Sequence, residues 1–198
     1  MRHSIEIIEF VKSNNGIITS SDAAKHNIKR GTLKYLVDKG DLIHLSRGIY
    51  SLPNASYDQY FATQNRFQKG VFTGDTALYL LGLLEDEPTN LCMTFPNTYN
   101  VTNAKKHNIV CFQASEPYYS TGVISVCSPY GNKLTTYSAE RTICDILKPS
   151  YSSDKKTIVT IIKKYLSSSN ADVDSLLSVS ETMRVKKRLE PYVDILNT

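Results

Sequence analysis

The chain has 198 residues, 41% of them hydrophobic and 21% charged, a balance that excludes a disordered chain and leaves room for one large domain or two small ones. No run of about 18 apolar residues occurs, so no membrane-spanning helix is expected. Net charge is only +4, but residues 1–53 carry eight Lys/Arg against five Asp/Glu, a surplus of three, and the remaining 145 residues hold a surplus of one. Positive charge is therefore concentrated where a polyanion can be met.

MRHSIEIIEFV at the N-terminus has acids inside its first apolar stretch, which breaks a signal-peptide pattern. Cys92, Cys111, Cys127 and Cys144 lie far apart in apolar surroundings with no CxxC. They read as buried free thiols of a reducing cytosol, not as disulfides or zinc ligands.

Apolar residues at positions 5, 7, 8, 10 and 11 of SIEIIEFVKS (4–13) predict a first helix, capped by Ser4 and stopped by NNG at 14–16. ITSSDAAKHNI (18–28) predicts a short second helix, with Thr19 and Asp22 spaced as a capping-box variant. KRGTLKYLVDKGD (29–41) predicts a third, with Leu33, Leu36 and Val37 on one face. LIHLSRGIYSL (42–52) then reads as a hairpin closed by Ser46, Arg47 and Gly48, with Arg47 at the tip.

Helix, short helix, helix and hairpin make the winged helix-turn-helix plan, in which the third helix enters the major groove and the hairpin is the wing. On this plan Arg30, Thr32, Lys34 and Tyr35 face the groove. Lys29, with Ser20 and Ser21 at the start of helix two, holds phosphates, and Arg47 reaches the minor groove or backbone. Gly31 weakens helix three but leaves room for close approach.

LPNAS (52–56) is the expected linker, which divides the chain into a winged helix-turn-helix domain at 1–53 and a second domain at 54–198. Beyond it come a helix at 57–70, then a short strand, a turn at Thr73–Asp75 and a helix within 71–86. Strands follow at 90–96, 108–114, 123–129 and 133–138, and helices at 138–147, 152–169, 172–180 and 182–196. The fold class expected is α+β, an N-terminal winged helix-turn-helix followed by a mixed α+β C-terminal domain.

Catalytic patterns are missing. No phosphate-binding glycine loop or nucleophile elbow occurs, the four histidines have no metal-like spacing, and no acids converge on the strands. The Glu85–Asp86–Glu87 run reads as a solvated turn. No catalytic residue, metal or cofactor is therefore expected.

In YSAERTICDIL (137–147), Ser138 caps a helix on which Arg141 can reach Asp145 one turn on. The alternative makes Glu140 and Arg141 part of a contact surface. In MRVKKRLEPY (183–192), Arg184, Lys187 and Arg188 share one face of a helix. That face is either solvated or a second site for nucleic acid or an anionic partner.

RGIYSLP after a winged helix, FTGDTALYLLGL and YSAERTICDIL together resemble, in order, stretches of the AbiEi antitoxins of abortive-infection, type IV toxin–antitoxin systems. The resemblance implies a cytoplasmic protein of two functions. Its N-terminal domain binds double-stranded DNA at inverted repeats in its own promoter and represses the operon. Its C-terminal domain counteracts a nucleotidyltransferase toxin without a stable complex. The residues themselves leave two other readings open: a winged-helix regulator with a ligand-binding second domain and no toxin, and an enzyme acting on nucleic acid.

Overall fold

The computed structural model describes residues 2–149, 151 and 154–196. The chain forms two compact units, one of Met1–Arg66 with Cys127–Lys133, the other of Phe67–Val126 with Leu134–Thr198. The fold is α+β, with the winged helix-turn-helix in the first unit and a mixed α+β second unit.

In the first unit α1 spans Arg2–Ser13, so Ser4 lies inside its first turn and is not its cap. The buried β-branched run Ile17–Thr19 is a strand, β1, where the start of helix two was expected. Helix α2 is confined to Ser20–Lys25, and α3 spans Arg30–Asp38. The hairpin follows as β2, Ile43–Ser46, and β3, Ile49–Ser51. Strand β3 lies between β1 and β2, antiparallel to both, with Ser51 opposite Ile17 on one side and Ile43 on the other.

The helices cover this sheet through Ile7, Val11, Leu33 and Leu36, which form one core with Ile18, Leu42 and Tyr50. Helix α4, Gln59–Arg66, adds Ala62 to a second cluster with Ile17 and Ile49. The Asp58 side chain, 1% exposed, accepts from Ser128 Oγ at 2.5 Å, Asn132 Nδ2 at 2.8 Å and the Phe61 amide at 2.9 Å. The first unit therefore runs past residue 53 and takes in 127–133.

The second unit opens with β4, Val71–Phe72, and α5, Gly74–Leu80. Then come β5, Cys92–Pro96; α6, Thr102–Lys105; β6, Val110–Ala114; β7, Val123–Cys127; and β8, Lys133–Tyr137. Four helices close the chain: α7, Ala139–Ile146; α8, Lys155–Leu166; α9, Val173–Thr182; and α10, Lys186–Leu196. Sheet order is β6-β5-β4-β8-β7, antiparallel between β4 and β5 and parallel where β4 meets β8 and β5 meets β6.

Ser138, Asp154 and Asp172 cap α7, α8 and α9, each accepting an amide of the first turn. The helices share a core that includes Leu78, Ile143, Ile161, Ile162, Leu176 and Leu189.

Arg141 is 2% exposed, and its charge is paired within the second unit. Nε donates to Asp145 Oδ2 at 3.0 Å, and Nη1 donates to the carbonyls of Tyr118 and of Thr121, the latter at 2.9 Å. The guanidinium lies 4.2 Å from the centre of the Tyr137 ring. Burial keeps the Tyr137 hydroxyl protonated, and it donates to the Tyr119 carbonyl at 2.8 Å. Only glycine fits at 122, where φ is +73° and a Cβ would stand 2.6 Å from Arg141 Cβ.

Cys92 and Cys144 are buried free thiols, and burial pushes the Cys144 thiol up to about 12. Cys127 departs from the expectation of a buried thiol: it is exposed at the end of β7, whose residues Val123–Ser125 are exposed as well.

Replacing Arg141 with leucine removes one partner of a buried ion pair, a change that costs about 3–5 kcal/mol. Lys148 Nζ, 2.7 Å from Asp145 Oδ1, still neutralises the remaining carboxylate, so the low end of that range is expected. Equilibrium denaturation of Arg141→Leu measures it. A loss below about 1 kcal/mol would show that the buried network does not hold the second unit together.

Candidate nucleic-acid interface

The cations of α3 oppose the local electrostatics of the helix. Lys29 is its N-cap and makes no side-chain capping bond, Arg30 follows, and the first turn holds no acid. Cations at the positive end of a helix dipole are unfavourable by a few tenths of a kcal/mol. Arg30 and Lys34, four residues apart, add like-charge repulsion of similar size. Lys29, Arg30 and Lys34 are all exposed, so packing does not require them.

Arg30, Gly31, Lys34 and Asp38 on α3, with His44 and Tyr50 of the wing strands, line an open groove of about 520 Å³. The His44 and Tyr50 rings are 5.0 Å apart on the wing side. Tyr35 lies one step around the helix from Lys34 and keeps 56% of its surface exposed, a large aromatic face the core does not use. Thr32 is half-buried at the edge of the same helix face. A Cβ on Gly31 would meet nothing within 4 Å, so no neighbour within the protein demands glycine there.

The wing tip is tied to the start of α2. In the hairpin Ser46 pairs with Ile49 and Leu45 is an extra, bulged residue, so the turn itself is Arg47 and Gly48. Gly48 has φ +78°, and its carbonyl accepts from the Ser20 amide at 2.7 Å. That bond brings Arg47, exposed, alongside Ser20 and the exposed Ser21.

Thr19 caps α2 as expected. Its Oγ1 accepts from the Asp22 amide at 3.1 Å and donates to the Asp22 carboxylate at 2.6 Å. The amides of Ser20 and Asp22 are thereby engaged within the protein. A role for Ser20 and Ser21 toward a phosphate rests on their hydroxyls and the Ser21 amide, not on an open row of amides.

The surfaces expected in the second unit are corrected by burial and backbone. Arg141 is enclosed, so it is not a contact residue. Glu140 is half-buried and accepts from the Tyr165 hydroxyl at 2.6 Å. Arg184, at φ +59°, lies in the connection between α9 and α10, so it does not share a helix face with Lys187 and Arg188. Val185 and Met183 beside it are buried in the core. Arg188 donates to the Leu147 carbonyl at 3.0 Å, at the C-terminal end of α7 where a cation is favoured. Lys187 and Arg184 are exposed.

Among the described residues no group of three or more His, Cys, Asp or Glu side chains is placed to hold a metal ion, and no helix is long and apolar enough to cross a membrane.

Three helices, a three-stranded sheet and an exposed cationic third helix beside a hairpin define the first unit as a winged helix-turn-helix. Residues 6–53 match the model of the AbiEi_4 family, described as "Transcriptional regulator, AbiEi antitoxin". The match ends at Pro53, so FTGDTALYLLGL and YSAERTICDIL lie outside it. The crystal structure of the RV2827C protein from Mycobacterium tuberculosis is similar over 95% of this chain and 79% of its own, with a TM-score of 0.54 and 14% identity, a likeness of fold alone. No curated protein matches.

Gly31→Ala is expected to raise stability, by up to about 1 kcal/mol, because alanine is the better helix former and the added methyl meets only open space. Equilibrium denaturation gives the sign; destabilisation would mean that glycine serves the fold and not the exposed face.

Proposed function

We propose that the protein is a DNA-binding transcriptional autorepressor and antitoxin, acting in the cytoplasm as a regulator and not as an enzyme. The observation that carries the proposal is the exposed cationic face of α3 beside a wing tip held at the start of α2, within the segment that matches the AbiEi family model.

In this reading α3 enters the major groove of inverted repeats in the protein's own promoter. Arg30 can make paired hydrogen bonds to guanine. Lys34 and Thr32 contact phosphate or base edges, and Tyr35 supplies an apolar face to a thymine methyl or the sugar–phosphate wall. Lys29, Ser20 and Ser21 hold backbone phosphates, and Arg47 reaches the adjacent minor groove or backbone. Gly31 lets the DNA come close to the helix. The second unit counteracts a nucleotidyltransferase toxin without forming a stable complex with it, in abortive-infection defence against phage.

A gel-shift series on the promoter, with one repeat and then both, tests the DNA reading. Binding at both repeats with nanomolar-to-micromolar affinity is expected, and failure to prefer promoter over random duplex would overturn it. Arg47→Ala should weaken binding across sequences and flatten the slope of log K against log salt by about one unit. Gly31→Ala should weaken binding although it strengthens the fold. Co-expression with the neighbouring nucleotidyltransferase gene tests the antitoxin reading: growth is restored if it holds, including by Arg47→Ala, and stays arrested for a regulator with no toxin.

A further inference from the structure

Within the second unit lies a cavity of about 90 Å³ lined in part by Thr73, Thr94, Arg141, Asp145, Lys148 and Tyr151. This is space for a few waters, or for one small polyatomic ion. Arg141 and Lys148 share the single carboxylate of Asp145, whose two oxygens they occupy at 3.0 and 2.7 Å, so the lining carries one positive charge in surplus. The other Arg141 bonds are made by Nη1, to two carbonyls, which leaves Nη2 outside these contacts.

The hydroxyl of Tyr151 is buried and has no hydrogen-bond partner among the described residues. Its ring is fixed by stacking on Phe112 at 5.0 Å and by Gly74, where a Cβ would stand 1.3 Å from the oxygen. Burial keeps this hydroxyl protonated, so it is a donor without an acceptor. Leaving such a group unmet is unfavourable. Asp75 is a further acid whose field reaches Tyr151; it lies outside the lining, is exposed over part of its surface, and partial burial raises the pKa of its carboxyl, which favours the neutral form.

A group that satisfies this lining is small, carries negative charge and presents acceptors in several directions. We propose that the cavity binds an oxyanion of the phosphate class, with Arg141, Lys148 and the Tyr151 hydroxyl as its donors. Free inorganic phosphate and the terminal phosphate of a nucleotide share this chemistry.

The test is calorimetric titration of the full chain with inorganic phosphate and, separately, adenosine monophosphate, at matched ionic strength in chloride. Saturable phosphate binding is expected. Tyr151→Phe should weaken it about ten-fold, the scale of one hydrogen bond to a charged group. Lys148→Gln should weaken it at least as much. Lys155→Gln, the same charge change at the exposed start of α8, should leave it unaltered. Tyr151→Phe removes an oxygen the fold does not pair, so its unfolding temperature without phosphate should match or exceed the parent's, which shows that the variant is folded. Binding of the monophosphate as well would assign the site to a nucleotide phosphate, and its failure to bind would assign the site to the free ion; both support the proposal. Absence of saturable binding to either probe, or equal responses of Tyr151→Phe and Lys155→Gln, would overturn it and leave a cavity for ordered water.

Discussion

A guanidinium taken out of water must be neutralised and must have its donors met, or the fold that buries it does not form. Arg141 meets this demand with one carboxylate, two backbone carbonyls and a tyrosine ring. These partners come from α7 itself, from the turn at 118–122 and from β8, so one side chain fixes a helix, a loop and a strand of the second unit together. The glycine at 122 and the capping serine at 138 follow from the same demand. The turn has to approach Arg141 to within contact of its Cβ, and α7 has to begin where the guanidinium can reach that turn.

The cations of the first unit obey the opposite rule. Lys29, Arg30, Lys34 and Arg47 are exposed, and two of them gather at the helix end where the backbone dipole disfavours them. They cost the fold a little and gain it nothing in packing. The apolar residues Leu33 and Leu36 on the reverse of α3 hold the helix down, and that leaves its other face available. Partnership inside the protein separates structural from available cations more sharply than charge counting does. Arg141 is buried in an ion pair and Arg188 donates to a carbonyl of the second unit, while Arg30 and Lys34 line an open groove.

Much of this architecture was legible in the chain. Local signals were strong for Thr19 with Asp22, for the apolar runs flanking Arg47 and Gly48, and for the four strands between 90 and 138. For the cap and the hairpin the determining contacts lie within a few residues, while the strands show in their apolar runs although their sheet partners are distant in sequence. What was not legible depended on distant partners. The strand at Ile17–Thr19 exists because β3 pairs with it, and in the sequence that segment is indistinguishable from the entry to a helix. The break at Met183–Val185 interrupts a run of good helix formers because Met183 and Val185 are drawn into the core. The ion pair of Arg141 and Asp145 was visible from their spacing. Its burial was not, because the enclosing carbonyls lie about twenty residues upstream.

The Asp58 carboxylate has one more consequence. Its acceptor capacity is filled by Ser128 and Asn132, more than sixty positions later in the chain. The first unit is therefore not a contiguous cassette. A recombination event that exchanged residues 1–66 alone would transplant a buried acid without the hydroxyl and amide that satisfy it. Lineages that exchange the first unit while keeping the second would have to carry 127–133 along, or replace Asp58 at the same time. Inheritance of the two halves is linked through seven residues that lie inside the sequence of one unit and fold with the other.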